Sequence, residues 1–304
     1  ISKMNESIVH RGPDSGAFYI PNDRVALGHR RLSIIDLREV ANQPMTSSDG
    51  NWHIVFNGEI YNFQEIKEDL SYSFVTDSDT EVIIAAVQEK GMDWFLERAN
   101  GMFAMALFNS STDNLYLVRD RLGIKPLYYY NDGEHLIFAS EIKAILNSGI
   151  VEAKFNEKAV DEYLANRYIR APHTFFENIG QLMPGTYHRY SGNLSLMEKS
   201  YWELPKSFNM TREYNEEKLK EGLERELKKA IEYRLIADVP LGTYLSGGVD
   251  SSLITAITVQ AKKDQVNTYT IGFEELNEFE YAQKVAKIYN TAHHEILMRK
   301  EDYL

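Results

Sequence analysis

The chain has 304 residues, 43% of them hydrophobic and 26% charged, enough for one large domain or two ordinary ones with a sizeable core. Asp and Glu outnumber Lys and Arg by 45 to 33, and the formal charge of -12 works against non-specific binding to nucleic acid or anionic lipid, so any phosphate must be held locally. Cysteine is absent, which removes disulfides, thiolate metal sites and thiol nucleophiles from this sequence, and no apolar stretch approaches the ~20 residues of a membrane span. The chain reads as soluble and cytoplasmic, with neither nucleic acid nor membrane as partner. It opens at Ile1 and stops at Leu304 after a charged stretch, and both ends read as cut.

Short apolar runs at Gly16–Ile20, Val25–Ile35 and Trp52–Ile60, separated by turn formers such as Pro21-Asn22-Asp23 and Ser47-Ser48-Asp49-Gly50, predict strands. A helix is predicted over Asp79–Lys90, where Val82, Ile83, Ala86 and Val87 share a face and Ser78 or Asp79 stands at the cap. Two hairpins follow, Met102–Phe108 with Leu115–Arg119 and Leu127–Tyr130 with His135–Ala139, the second turning at Asn131-Asp132-Gly133. Residues 1–200 are therefore expected to form an α+β domain on antiparallel sheet.

The rhythm then changes. Leu219, Leu223, Leu227, Ile231 and Leu235 recur every fourth residue, the mark of an amphipathic helix. A buried strand at Val239–Leu245, a helix at Ser251–Lys262, a strand at Thr268–Phe273, a helix at Glu278–Asn290 and a strand at Glu295–Met298 predict parallel sheet with crossover helices. Residues 201–304 are read as a truncated α/β nucleotide-binding domain, with the boundary in the polar stretch between Tyr190 and Tyr214.

Between the strand ending Tyr244-Leu245 and the following helix stands Ser246-Gly247-Gly248-Val249-Asp250-Ser251-Ser252. Two glycines allow a sharp turn and close approach to a ligand, and the new helix offers N–H groups and positive dipole to an anion. Ser246, Ser251 and Ser252 add hydroxyl donors, and Asp250 would hold a Mg²⁺ carried in by a nucleotide. The Walker lysine and any G-x-G-x-x-G are missing. Ile271, at the end of the next strand, falls where an adenine would lie, although a plain core isoleucine explains it almost as well.

This loop resembles that of ATP-pyrophosphatase-type synthetases. Upstream lie His10-Arg11-Gly12-Pro13-Asp14, Gly28-His29-Arg30-Arg31-Leu32-Ser33-Ile34-Ile35-Asp36, Phe56-Asn57-Gly58-Glu59-Ile60-Tyr61-Asn62 and Thr76-Asp77-Ser78-Asp79-Thr80-Glu81. With Asp120–Tyr128 and Ala139–Ala144 they make nearly the whole chain resemble the glutamine-hydrolysing asparagine synthetases, whose first domain is a class II, N-terminal-nucleophile amidotransferase sandwich.

The resemblance implies ATP, Mg²⁺, glutamine and a carboxylate acceptor, aspartate or in some relatives a sugar or cell-envelope acid; it leaves a homodimer open. It places Arg31 on the glutamine α-carboxylate and Asp79 on the α-ammonium, matches that suit a guanidinium fork and a carboxylate. Glu59 and Leu32, Ser33, Ile34 and Ile35 complete the pocket, and the Asn57 side chain and Gly58 N–H form the oxyanion hole. ATP falls to Tyr244, Leu245, Ser246, Gly247, Gly248, Asp250, Ser251, Ser252 and Ile271. Arg11 and Asp14 are expected to support the site across the Gly12-Pro13 turn. The family's nucleophile is an N-terminal Cys, which this sequence lacks. A segment outside the sequence accounts for that; a lost glutaminase, as in β-lactam-forming or ammonia-using relatives, is the rival.

Overall fold

Two-residue alternation of apolar and polar side chains dominates the first part of the chain, and the computed structural model, which describes residues 1–205 and 215–303, lays it into antiparallel sheets. Two units result, Ile1–Phe208 and Asn209–Leu304. The first runs α1 (Ser2–Ser7), β1 (Ser15–Asn22), β2 (Val25–Arg31), β3 (Met45–Thr46), β4 (Trp52–Ile60), α2 (Phe63–Glu68), α3 (Asp79–Lys90) and α4 (Met92–Arg98). It continues with β5 (Gly101–Asn109), β6 (Asn114–Arg119), β7 (Tyr128–Asn131), β8 (Leu136–Ala139), α5 (Ile142–Leu146), α6 (Lys158–Asn166), β9 (Ile179–Gln181), β10 (Thr186–Tyr190) and β11 (Leu196–Ser200).

A six-stranded antiparallel sheet has the order β11-β10-β6-β5-β4-β3, beside a three-stranded sheet β8-β7-β9 and the β1-β2 hairpin. Alternation decides the layers. Val55, Ala104, Ala106, Phe108, Leu117 and Tyr190 of the large sheet meet Leu27 of β2, Tyr129 of β7 and Leu136 and Phe138 of β8 in one core. On the other face of the small sheet Tyr128, Tyr130 and Ile137 pack with Met4 of α1 and Ile142 and Ile145 of α5. Helix α3 lies against β4 of the large sheet. The result is an α+β sandwich of helix, sheet, sheet and helix.

Ser78 caps α3 by accepting the Thr80 N–H at 3.1 Å. The predicted apolar face is only part of what α3 hides. Ile84 and Ala85 are also buried, because α2 and α4 pack against the same helix. The strand predicted over Val25–Ile35 stops at Arg31, where the chain leaves the sheet to wrap around that side chain. Strand β11 lies in the stretch read as an inter-domain link. It pairs with β10 from Thr186↔Ser200 to Tyr190↔Leu196, and as an edge strand with Glu198, Lys199 and Ser200 it has no apolar alternation to betray it. Residues 206–214 of that stretch lie outside the described residues.

The second unit contains α7 (Glu216–Tyr233), β12 (Gly242–Tyr244), α8 (Val249–Ala261), β13 (Asn267–Phe273), α9 (Phe279–Tyr289) and β14 (Ala292–Met298). Its three strands form a parallel sheet in the order β12-β13-β14, with α8 and α9 as the crossovers that parallel pairing requires. The strand predicted as buried over Val239–Leu245 is shorter and largely exposed. Pro240 has no N–H for a ladder, β12 is an edge, and only Leu245 beyond it is fully enclosed. Among the described residues no helix is long and apolar enough to cross a membrane.

Candidate active site

In the first unit the site grows from an unfinished sheet edge. Strand β3 pairs with β4 only at Met45↔Ile54 and Thr46↔His53, so among the described residues the outer edge of β4 has no neighbouring strand from Phe56 onward. Side chains take its place. The Phe56 N–H donates to Gln43 Oε1 at 2.6 Å, His29 Nε2 lies 3.0 Å from the Phe56 carbonyl oxygen, and the Ile60 N–H donates to Asp79 Oδ2 at 2.9 Å. Backbone groups of alternate residues point the same way along a strand, so the Gly58 N–H is directed to this edge between those two anchored residues. Gly58 has φ +150°, and a Cβ there would fall 2.0 Å from the Met102 carbonyl oxygen of β5, so the close pairing admits only glycine.

Asn57 follows the alternation of Val55 onto the inter-sheet face, where its Nδ2 lies 3.4 Å from Ser140 Oγ. Asn57, Gly58 and Glu59 line a cleft of about 930 Å³, together with Arg31, Leu32, Ile34, Ile35 and Asp79. Ser33 is the exception among the expected pocket residues. Its N–H turns to Asp14 Oδ2 at 2.8 Å, which makes Asp14 a brace of the loop, while Arg11 pairs with Glu141 at 3.2 Å.

Arg31 is buried, and its terminal nitrogens are occupied by the loop that follows. Nη1 donates to the Arg38 carbonyl and Asn42 Oδ1 at 3.1 and 2.8 Å, and Nη2 to the Ile35 and Asp36 carbonyls at 3.2 and 2.5 Å. Nε–H is the donor these bonds leave. Asp36, at φ +53°, accepts from Arg38 Nε at 2.7 Å and from the Asp77 N–H at 2.8 Å, and Arg38 Nη2 also reaches Asp77 Oδ2 at 2.9 Å. The bonds from Arg38 hold the Asp36 carboxyl far below the usual carboxylate range. The loop after β2 is thereby clasped to the segment that leads into α3 and Asp79. Burial pushes Asp79 itself up to about 6, and the nearby Glu59 charge adds to the rise.

In the second unit Leu245 anchors the end of β12 through its N–H to the Tyr269 carbonyl at 2.9 Å, and the chain turns at Gly247 with φ +80°. A Cβ on Gly247 would fall 2.5 Å from the Tyr281 backbone. Helix α8 starts without a side-chain cap, and its first intrahelical bond runs from the Ser252 N–H to the Gly248 carbonyl, so the N–H groups of Val249, Asp250 and Ser251 have no partner within the helix. Ser246 Oγ and Ser251 Oγ sit 3.0 Å apart beside them, and Asp250 is exposed in the first turn. This donor set fits a pyrophosphate. Among the described residues no group of three His, Asp or Glu would hold a metal alone, so a Mg²⁺ at Asp250 would take most of its ligands from phosphate oxygens. Within this unit Ile271 is 47% exposed and Tyr244 77% exposed.

Three residues that line the cleft of the first unit carry no assigned role in the sequence: His29, Gln43 and Ser140. His29 and Ser140 lie inside the quoted strings, yet a strand histidine and a turn serine carry no signal until the strand edge they serve is known.

Residues 1–202 match the family described as glutamine amidotransferase domain, and residues 222–304 match the asparagine synthase family. The chain is 32% identical to glutamine-hydrolysing asparagine synthetase 1 of Bacillus subtilis, over 100% of this chain and 48% of that protein. It is 33% identical to the glutamine-hydrolysing asparagine synthetase B of Escherichia coli, over 97% of this chain and 50% of the relative. Amidase chry2 of Gibberella zeae is 37% identical over 82% of this chain and 37% of its own length. The chain thus spans about half the length, or less, of these curated relatives. Its first unit is a glutamine amidotransferase domain. The chain as a whole belongs to the family of glutamine-hydrolysing asparagine synthetases.

Proposed function

We propose that the protein containing this chain is a cytoplasmic, ATP-dependent carbon–nitrogen ligase that takes ammonia from glutamine and places it on a carboxylate, aspartate by family. Residues 1–200 are read as the glutaminase domain and 201–304 as part of the synthetase domain. The observation that carries the reading is the open β4 edge, where the Gly58 N–H and Asn57 side chain share one cleft with a buried Asp79 and with Arg31. Glutamine would place its α-ammonium at Asp79, its α-carboxylate at Arg31 Nε–H and the Leu32–Ile35 backbone, and its amide at Asn57 and Gly58, with Glu59 lining the pocket.

An N-terminal Cys outside this sequence would attack the amide carbon, with its own α-amine as base. Ammonia leaves, and water hydrolyses the thioester to glutamate. At the second site the Ser246–Ser252 loop would hold the β and γ phosphates of ATP, with the adenine towards Tyr244 and Ile271. Mg²⁺ at Asp250 would neutralise phosphate charge. The acceptor carboxylate displaces pyrophosphate from the α phosphate, and ammonia then displaces AMP from the acyl-adenylate.

The test of the first half is direct. Full-length protein should release glutamate from glutamine without ATP, and a glutamine analogue with an electrophile in place of the amide should label its N-terminal residue. A protein that takes no label and releases no glutamate, yet still makes its amide, belongs with the ammonia-using or internal-amine class.

The charged ends of glutamine supply a second expectation. Arg31→Ala or Asp79→Ala should raise KM for glutamine at least about tenfold, the worth of one charge-assisted bond near 1.4 kcal/mol, while synthesis from added ammonia survives. Asp79 carries pH dependence with a definite sign. Its burial favours the neutral acid below about 6, and only the carboxylate pairs with an ammonium. KM should therefore climb as pH falls through 6, and the climb should vanish in Asp79→Asn. A wild-type KM that stays level from pH 5 to 8 would remove Asp79 from the ammonium site.

A further inference from the structure

We infer that His29 is a positioning residue of the oxyanion hole: as an Nε2–H donor to the Phe56 carbonyl it fixes the peptide that carries Asn57, and so aims the Asn57 side chain and Gly58 N–H at one point. The inference rests on the glutaminase reading. Its ground is the way β4 is held. An oxyanion donor on a strand edge faces two conflicting demands, since the edge must be rigid and the N–H must stay uncovered. A neighbouring strand would supply rigidity and cover the Gly58 N–H with a carbonyl.

Here β3 ends before Phe56, and both backbone groups of Phe56 are held by single side chains instead. Gln43 Oε1 takes the N–H at 2.6 Å, and Gln43 Nε2 in turn lies 3.3 Å from Thr80 Oγ1 at the start of α3. His29 takes the carbonyl at 3.0 Å. The residue before Asn57 is clamped, and the edge at Gly58 stays open.

The protonation of His29 follows from its surroundings. A carbonyl only accepts, so the nitrogen facing it must carry the proton. Burial, with the nearby Arg31 charge, lowers the imidazole to about 4, so the ring is neutral at pH 7 and Nδ1 holds a lone pair. Among the described residues Nδ1 is buried without a hydrogen-bond partner, so none of them competes for the other tautomer. His29 sits two residues before Arg31 on the same face of β2, so one strand bears both the brace of the oxyanion hole and the guanidinium of the pocket.

A donor that matters by aligning the hole acts on the transition state and hardly on bound glutamine. In full-length protein His29→Leu should lower kcat for glutamine hydrolysis about tenfold or more and shift KM less than about threefold, while His29→Gln, whose amide N–H reaches similarly far, should recover most of the loss. Equal loss in both variants, or a rise in KM at constant kcat, would overturn the inference. Asn57→Ala measured alongside separates the causes of failure. If Asn57→Ala leaves kcat unchanged, the oxyanion-hole assignment of Asn57 falls and takes this inference with it; if Asn57→Ala lowers kcat and His29→Leu does not, the inference falls alone. A long-range ¹H–¹⁵N spectrum of the wild-type protein at pH 7, assigned against His29→Leu or His29→Gln, reads the tautomer independently of activity. The Nε2–H form is expected, and the Nδ1–H form would overturn the assignment.

Discussion

Asn57→Ala in full-length protein is expected to lower kcat for glutamine hydrolysis about 10²-fold or more, with a much smaller change in KM. The reason lies in when the Asn57 amide is used. Bound glutamine presents a neutral carbonyl, and only attack on its carbon places a negative charge on the oxygen, so a donor preorganised for that charge stabilises the transition state more than the ground state. Asn57 is suited to the task because β4 holds it on the inter-sheet face and its amide has only the 3.4 Å contact to Ser140 Oγ among the described residues. The Gly58 N–H remains after the substitution, so residual hydrolysis is expected. Loss of binding with unchanged kcat would instead make Asn57 a pocket wall.

Asp250→Ala is expected to abolish acceptor-dependent release of pyrophosphate from ATP and to leave glutamine hydrolysis largely intact. Asp250 is exposed in the first turn of α8, next to the free N–H groups and the Ser246 and Ser251 hydroxyls, so its removal opens no cavity and breaks no core contact. What it takes away is the anionic ligand that would hold Mg²⁺ beside the triphosphate. Among the described residues, the cleft proposed for glutamine is lined only by residues of the other unit, which is why the two half-reactions should separate. Pyrophosphate release at the wild-type rate would remove the Ser246–Ser252 loop from ATP chemistry.

Much of the fold could be read ahead of the structure because its strands announce themselves. Trp52–Ile60, both hairpins and the α3 helix carry strong periodicity and ordinary turn or cap residues, and they occur where the pattern puts them. Some elements that escaped lack that signal, since β3 has two residues, α1, α2 and α5 are five or six residues long and β11 is a polar edge, but α4, α6, β9 and β10 escaped as well. The strand predicted to reach Ile35 shows a different limit. Its apolar residues continue past Arg31, but a buried guanidinium must find acceptors, and it finds them by pulling the chain out of the sheet.

The site divides in the same way. Gly247 is legible as a place where the backbone turns and approaches closely, whereas Gly58 enters only through the family resemblance and its clash with β5 has no trace in the sequence. The expectation that Arg31 and Asp79 meet the two charged ends of one amino acid comes from the family resemblance, with which their charges agree. That Arg31 spends four of its hydrogens on its own loop, and that Gln43 and His29 stand in for a strand, are facts of three-dimensional neighbourhood with no local trace.

The measurement that bears most directly on the coupled reaction follows the amide nitrogen itself. Full-length protein is given glutamine labelled with ¹⁵N at the amide, ATP, Mg²⁺ and aspartate, and the label, AMP and pyrophosphate are counted together. The label should appear in the side-chain amide of the product, with one AMP and one pyrophosphate formed for each labelled molecule. Product formed with unlabelled nitrogen only, or ADP and phosphate in place of AMP and pyrophosphate, would contradict a glutaminase feeding an adenylating synthetase.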